Sequence, residues 1–370
     1  MYHRNRKRCT YELGYDSIQM GCYSLFSGPG GLDLGFEMAG ASILYAADID
    51  PVCVETYNYN RPENPVARIR DLSVVSVESI LAEALPAGPY DVVGVIGGPP
   101  CQSFSYANVY STDEDPRHKL PEHYARIVAG LRERVGLDFF LFENVPGLMS
   151  ASHIAKFKKF EAMFEEAGFR LFQGSLDAQD FGVAQIRPRV FVVGFNKEKY
   201  PDIEFRFPVP DPLVPRKTVR DVIWGLPEPV YNAKGLNPDT FPVHPNHWCL
   251  VPRSPKFSNG LSKRMGGKSF KILDWDRPSY TVAYGHREVH VHPNGHRRLS
   301  IYEAMLLQAF PKDYVLKGNI SAQVRQVSEA VCPVVANALA KSIMQALNQE
   351  RKENIGNGSE RDEHFAAAIP

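Results

Sequence analysis

The sequence has no C-x-x-C pair. Its six cysteines, Cys9, Cys22, Cys53, Cys101, Cys249 and Cys332, are scattered through 370 residues. No metal site is expected, and the thiols read as reduced, in a cytoplasmic protein. Surplus charge is also missing. Against 42 Lys and Arg stand 42 Asp and Glu, which excludes a uniformly basic coat for nucleic acid but not a local basic face. No apolar run approaches the length of a membrane span. The N-terminus, MYHRNRKRC, is basic but is not followed by the apolar segment of a secretory signal. Residues 1–19 are set apart as an N-terminal extension, a solvated tail with a phosphate-contacting arm as the alternative. There is no Walker-type G-x-x-x-x-G-K-[ST] loop, and no internal repeat.

What is present is alternation. Short apolar runs at 21–26, 41–50, 90–98, 138–145 and 188–195 read as strands, and helical spacing appears at 32–40, 52–60, 77–85, 123–135 and 157–168. Repeated βα units predict a doubly wound, mostly parallel α/β sheet over residues 20–195, with ligands at the carboxyl ends of the strands. SGPGG, GGPPCQS and ENVPG all fall at such ends. Residues 196–296 are rich in Pro, Gly, Asn and His and read as a second, smaller, loop-rich domain. Helical patterns return at 299–310 and 323–347, so residues 297–347 rejoin the first domain. Residues 348–370 are polar and are expected to be disordered.

Charge is unevenly placed. Residues 251–300 hold ten Lys and Arg, among them Lys263, Arg264, Lys268, Arg287 and Arg297, against three acids. Phe257, Phe270, Trp275, Tyr280 and Tyr284 interleave with them. A basic, aromatic-bearing, loop-rich small domain facing a neutral-to-acidic α/β domain suggests a cleft for a polyanion.

FSGPGGLDLGF (26–36) is a strand, a glycine turn and a helix start. Such a turn lets backbone approach a ligand. The next strand ends in Asp48, twenty residues beyond Gly28, where an acid holds ribose hydroxyls in dinucleotide-type folds. Asp71 follows the third unit and could meet an adenine amine. Together these point to a nucleoside-containing cofactor with little phosphate, because the loop has no Lys or Arg. Cys101 lies in GGPPCQSFS after one strand, and Glu143 ends the next in FENV. A carboxyl between Phe142 and Val145 would have a raised pKa. Arg187 and Arg189, two apart on a strand, share a face. A thiol, an acid and paired arginines suit attack on an electron-poor ring that must be protonated.

These stretches resemble, in order, the S-adenosylmethionine-dependent DNA (cytosine-5)-methyltransferases of bacterial type. The matches are FSGPGG, the acid after the second strand, GGPPCQSFS, ENVPG, QIRPRVF, RRLSIYEAMLLQAFP and QVRQVSEAVCPVVANAL, spanning about residues 20–345. The resemblance implies a Rossmann-like methyltransferase fold and S-adenosylmethionine as cofactor. Cys101 would add to cytosine C6, Glu143 would act at N3 and the exocyclic amine, Arg189 would hold the O2 edge, and Arg187 would sit near the thiol or a phosphate. Phe26, Gly28, Gly30, Asp48, Ile49, Asp71, Pro99 and Glu329 would form the cofactor pocket. Ser103, Lys263, Arg264, Lys268, Arg287 and Arg297 would meet double-stranded DNA, and residues 196–296 would recognise the target. RRLSIYEAM would brace that domain. A monomer in a restriction or phage-defence system is implied, with other subunits as possible partners. The alternatives are an RNA cytosine-5 methyltransferase of the same fold, or a catalytically impaired regulatory DNA-binding homologue. Two positions depart from the pattern. Ser24 stands where the family commonly has an acid, and Ser328-Glu329 replaces Gly-Asn in the segment that closes the cofactor pocket.

Overall fold

Apolar runs rich in Val, Ile and Phe, bounded by glycine turns, form the sheet of the first half. A computed structural model describes residues 18–86, 88–100, 119–261, 270–281 and 290–366, with side chains described as far as Arg351. The chain runs β1 (Met20–Leu25), α1 (Gly31–Met38), β2 (Ser42–Asp48), α2 (Pro51–Tyr59), β3 (Ala67–Ile69), α3 (Val77–Glu83), β4 (Val92–Gly97), α4 (Leu120–Val135), β5 (Phe139–Asn144), α5 (Ile154–Glu166), β6 (Phe169–Asp177) and β7 (Pro188–Asn196). The sheet order is β3-β2-β1-β4-β5-β7-β6. The first five strands pair in parallel, and β7 runs antiparallel to both β5 and β6. The sheet is doubly wound and mostly parallel, as expected. Strand β6 was not anticipated from the sequence. It lies at the sheet's edge with only Phe169 and Leu176 buried, so it lacks the continuous apolar run of the central strands.

The two faces of β1 feed two cores, as the period of two requires. Met20 and Cys22 pack with Phe36, Leu339 and Ile343 on one face, while Tyr23 and Leu25 pack with Tyr124, Phe140 and Phe164 on the other. Helix α1 lies close against α9 (Pro333–Ala366) because Gly35 has no side chain. A Cβ there would come within 2.3 Å of the Ala336 Cβ and 2.5 Å of the Pro333 carbonyl.

Residues 196–296 carry little regular structure among the described residues. They hold α6 (Val219–Ile223) and two-residue strands: β8 (Val230–Tyr231) pairs with β9 (Trp248–Cys249), and β10 (Lys271–Ile272) with β11 (His290–Val291). The chain then returns through α7 (Ile301–Leu307), α8 (Ile320–Glu329) and α9. The helical pattern at 323–347 is broken before Pro333, which lacks an N–H and disfavours helix in the residue before it. Helix α9 also corrects the expectation of disorder after residue 348, since it continues to Ala366. Arg351 ties its extension to the domain through an ion pair of 2.9 Å with Asp91. The stretch Ile320–Arg351 could cross a membrane by length and composition, but 61% of its apolar window is buried in the fold. It is a core element.

Candidate active site

The candidate residues cluster at the carboxyl ends of β1, β2, β4 and β5. After β1, Phe26 and Gly28 take left-handed backbone (φ 55° and 52°), and Gly30 does so at 85°. A bulky residue rarely holds such a conformation without surrounding support. Here the support is explicit. The Ser27 N–H donates to the Ala47 carbonyl at 3.0 Å, and the Gly28 N–H to Asp48 Oδ2 at 2.8 Å. Tyr314 Oη donates to the Pro29 carbonyl, and Arg61 Nη2 to the Gly30 carbonyl at 3.3 Å. Arg61 is itself gripped at 2.7 Å by both oxygens of Glu37.

Asp48 accepts from Gly28 and, at 2.9 Å, from the Asp50 N–H. Burial pushes its carboxyl up, and those backbone N–H groups oppose the shift. Two N–H bonds leave an ionised carboxylate with acceptor capacity for hydroxyl donors. Ile49, next in sequence, is 65% exposed, a bare apolar face at the strand end. Gly28 has nothing within 4 Å of where a Cβ would stand. Asp71 is exposed, and its Oδ1 accepts from the Ser73 N–H and hydroxyl, which hold the carboxyl below its usual range. An open glycine cradle, an acceptor beside it and an exposed apolar surface fit the methionine end, the ribose and the adenine of an adenosyl cofactor. The loop's lack of Lys and Arg agrees with a ligand that has no phosphate.

The second half of the site lies on β5 and β7. Glu143, near the end of β5, is opposite Phe191 on β7. Its Oε1 forms an ion pair of 2.9 Å with Arg189 Nε, both side chains being about nine-tenths buried. Burial raises the Glu143 carboxyl, against the pull of Arg189 and Arg187. A buried carboxyl biased toward protonation can share a proton with a ring nitrogen. Gly98, just after β4, makes room for it: a Cβ there would lie 2.6 Å from Glu143 Oε2. Pro99 is buried, and its carbonyl accepts from Asn144 Nδ2 at 3.4 Å. Arg187 turns the other way. Its Nη2 donates to the carbonyls of Ser328 and Ala330, each at 2.7 Å.

The structure thus gathers Phe26, Gly28, Gly30, Asp48 and Ile49 at one pocket, and Glu143, Arg187 and Arg189 at another. Glu329 ends α8 and is exposed. Its charge, with those of Asp48 and Asp50, raises the Cys53 thiol. Cys101, Ser103, Lys263, Arg264, Lys268 and Arg287 lie outside the described residues. Arg297 needs correcting. It was expected to face DNA, but it is 2% exposed and clasps Glu303 through Nη1 and Nη2, both at 2.8 Å. Its Nε meets Glu228 at 2.9 Å, so no edge of the guanidinium is left for a phosphate. The sequence reading missed Arg61, Tyr314, Gly98 and Asn144. Only Asn144 and Gly98 had a local signal, since both flank residues already singled out.

The sequence profile of the C-5 cytosine-specific DNA methylases matches residues 20–345. The chain belongs to that family. It is a DNA (cytosine-5) methyltransferase. The relatives to which it is similar include the type II methyltransferases M.FnuDI of Fusobacterium nucleatum, 33% identical over 89% of this chain and 95% of its own length, and M.MthTI of Methanothermobacter thermautotrophicus, 33% identical over 89% and 98%. Among solved structures, a prophage-encoded DNA modification methyltransferase of E. coli shares the fold with a TM-score of 0.71 at 24% identity, covering 89% of this chain and all of its own. A DNMT2 variant from Spodoptera frugiperda does so with 0.61 at 18% identity, covering 88% and 99%. The family uses S-adenosylmethionine as its methyl donor.

Proposed function

We propose that this chain flips a cytosine out of double-stranded DNA and methylates its C5, with Cys101 as the nucleophile, as the modification half of a type II restriction system. The observation that carries the reading is the buried Glu143–Arg189 pair. It lies one strand from the loop that bears Cys101, four residues beyond the end of β4.

Cytosine C5 is a poor nucleophile. Addition of the Cys101 thiolate to C6 makes C5 enamine-like. The thiol must lose its proton first, and the positive charge of Arg187 and Arg189 nearby favours the thiolate. Glu143 hydrogen-bonds N3 and the exocyclic amine and so removes charge that develops on the ring. Arg189, held in plane by Glu143, presents its remaining edge to O2. S-adenosylmethionine, when bound, supplies an electrophilic methyl group. Asp48 would hold its ribose, and Phe26 and Ile49 would flank its adenine, with Asp71 at the amine. A base then takes the C5 proton and Cys101 leaves. Attack at C6 comes from above the ring plane, which stacking forbids inside a duplex, so the base must be extruded. Residues 196–296 would read the site, with Ser103, Lys263, Arg264, Lys268 and Arg287 at the DNA.

The test is transfer of labelled methyl from S-adenosylmethionine to unmethylated duplex DNA, with Cys101→Ser alongside and product sites read by sequencing. Methylcytosine within one short motif, abolished by the substitution, is the expected result. Covalent trapping on a 5-fluorocytosine duplex should follow the same pattern. Labelling of tRNA in preference to duplex would transfer the reading to RNA, and absence of trapping would make the chain a regulatory homologue.

A further inference from the structure

The turn between α8 and α9 touches both halves of the site. On one side it meets the glycine loop. Gly31 opens α1 directly after that loop, and a Cβ on it would lie 2.4 Å from the Val331 carbonyl and 3.3 Å from the Ala330 Cβ. On the other side it meets Arg187, whose Nη2 donates at 2.7 Å to the Ser328 and Ala330 carbonyls. These are acceptors that the end of α8 leaves without partners inside the helix, and a cation suits that end. Gln308 Nε2 adds a third donor, at 2.6 Å to the Ala330 carbonyl.

Only part of the Arg187 guanidinium is used in this way. The side chain is 2% exposed, yet its Nε and Nη1 have no hydrogen-bond partner among the described residues. Buried N–H donors of a cation are costly to leave unpaired, so this half is set for an acceptor that arrives from outside. The group lies near Glu143, whose carboxyl feels its charge. Arg189 bonds to Glu143 and to the carbonyl of Pro188.

We propose that Arg187 couples the two substrate pockets. Its Nη2 holds the α8–α9 turn against the glycine loop, and its Nε and Nη1 take an acceptor oxygen that comes in with the extruded nucleotide. Cofactor and DNA then each favour the same placement of one side chain, so each tightens the binding of the other by the same factor. This rests on the cofactor and substrate assignments above. It departs from them in making Arg187 a positioning residue for the cofactor pocket, so that its loss is felt before any DNA is present.

The test is calorimetric binding of S-adenosylhomocysteine, alone and with a duplex that carries the methylation motif mapped by sequencing. The proteins are the wild-type chain, Arg187→Lys and Arg187→Gln. Without DNA, both variants should bind at least about tenfold more weakly, because a lysine cannot bridge two carbonyls while also offering a second edge. The tightening of cofactor binding by DNA should vanish in both. A purely structural arginine would lower thermal stability and leave that factor intact. Wild-type cofactor affinity in a folded Arg187 variant overturns the proposal, as does an unchanged coupling factor. Should the Arg187 variants not fold, Gln308→Leu removes the neighbouring donor to the same turn. It should weaken cofactor binding about threefold, and no change there overturns the proposal equally. If the wild-type chain itself binds no S-adenosylhomocysteine, the cofactor assignment falls and this inference falls with it.

Discussion

Arg189 Nε stands 2.9 Å from Glu143 Oε1, across antiparallel strands, with both groups almost fully removed from water. The pair holds a carboxyl whose burial favours its protonated form next to a cation that favours its ionised form. That balance suits a group that must pass between hydrogen-bond donor and acceptor on one ring. Glu143→Gln keeps the shape and loses the proton. It should reduce single-turnover methyl transfer by about 10²–10⁴-fold, the usual range for a general acid or base, with cofactor affinity within twofold of wild type. A loss confined to cofactor binding would place Glu143 elsewhere in the cycle.

Gly98 supplies an independent probe of that geometry. Its backbone is not left-handed, so alanine there carries no conformational strain. The added methyl would, however, come within 2.6 Å of Glu143 Oε2 and must displace the carboxylate. Gly98→Ala should fold normally, bind cofactor normally and transfer methyl at least tenfold more slowly. Unchanged rates would mean that the carboxylate has room to move without consequence.

The strands of the first half were legible because parallel strands buried on both faces read as unbroken apolar runs. Glu143 stands near the end of such a run, and Arg187 and Arg189 at the start of another, β7, which is how the sequence singled them out. The partners that hold them were not legible. Tyr314 reaches the Pro29 carbonyl across 285 positions of sequence, and no local pattern reports a contact of that range. Arg297 misled for a related reason. A basic cluster looks like a phosphate surface until the tertiary fold supplies Glu303 and Glu228 to one of its members.

Asp33 should make stability depend on pH. It is fully buried in the first turn of α1 and accepts from Tyr57 Oη at 2.9 Å. Burial pushes its carboxyl up to about 6, with Glu37 adding to the rise and Arg61, Ser24 and Tyr57 opposing it. The folded chain therefore holds this proton more tightly than the unfolded chain. The advantage is full below the unfolded value near 4 and is lost as pH rises through about 6. Asp33→Asn should thus be more stable than wild type at pH 7.5, by up to ~3 kcal/mol for a shift of about two units. The gap should close toward pH 4. Thermal melts of both proteins between pH 4.5 and 8 would show converging curves. Parallel curves would mean that the carboxyl titrates normally in the fold.

Glu329 stands where the resemblance puts an amide beside the proposed cofactor pocket. The Cys53 thiol is raised chiefly by burial, then by Asp48, Asp50 and Glu329, with Arg325 opposing. Arg325 pairs with Asp50 and opposes the acids. A glutamate at a helix C-terminus also opposes the helix dipole. Both effects disfavour a ligand that brings its own carboxylate. Glu329→Asn should bind S-adenosylmethionine about three- to tenfold more tightly at low salt, with the gain shrinking above 0.5 M as screening grows. Equal affinity of the two proteins at low salt would show that Glu329 is directed away from the ligand.

Arg297 separates a brace from a DNA contact. Burial alone would raise the Glu303 carboxyl, but the Arg297 hydrogen bonds and charge overcome it and hold that carboxyl below its usual value. The same carboxylate accepts from the Ser300 N–H at 2.8 Å and so caps α7. Arg297→Met would leave Glu303 buried without its counter-charge, a change that costs roughly 3–5 kcal/mol in comparable buried pairs. The melting temperature should fall steeply. The salt dependence of DNA binding by the remaining folded protein should not change, whereas removal of a phosphate contact would lower the log–log slope by about one. A stable Arg297→Met protein with a reduced salt slope would restore Arg297 to the DNA surface. The expected pattern instead makes it the anchor through which α7 holds the loop-rich domain in register with the sheet.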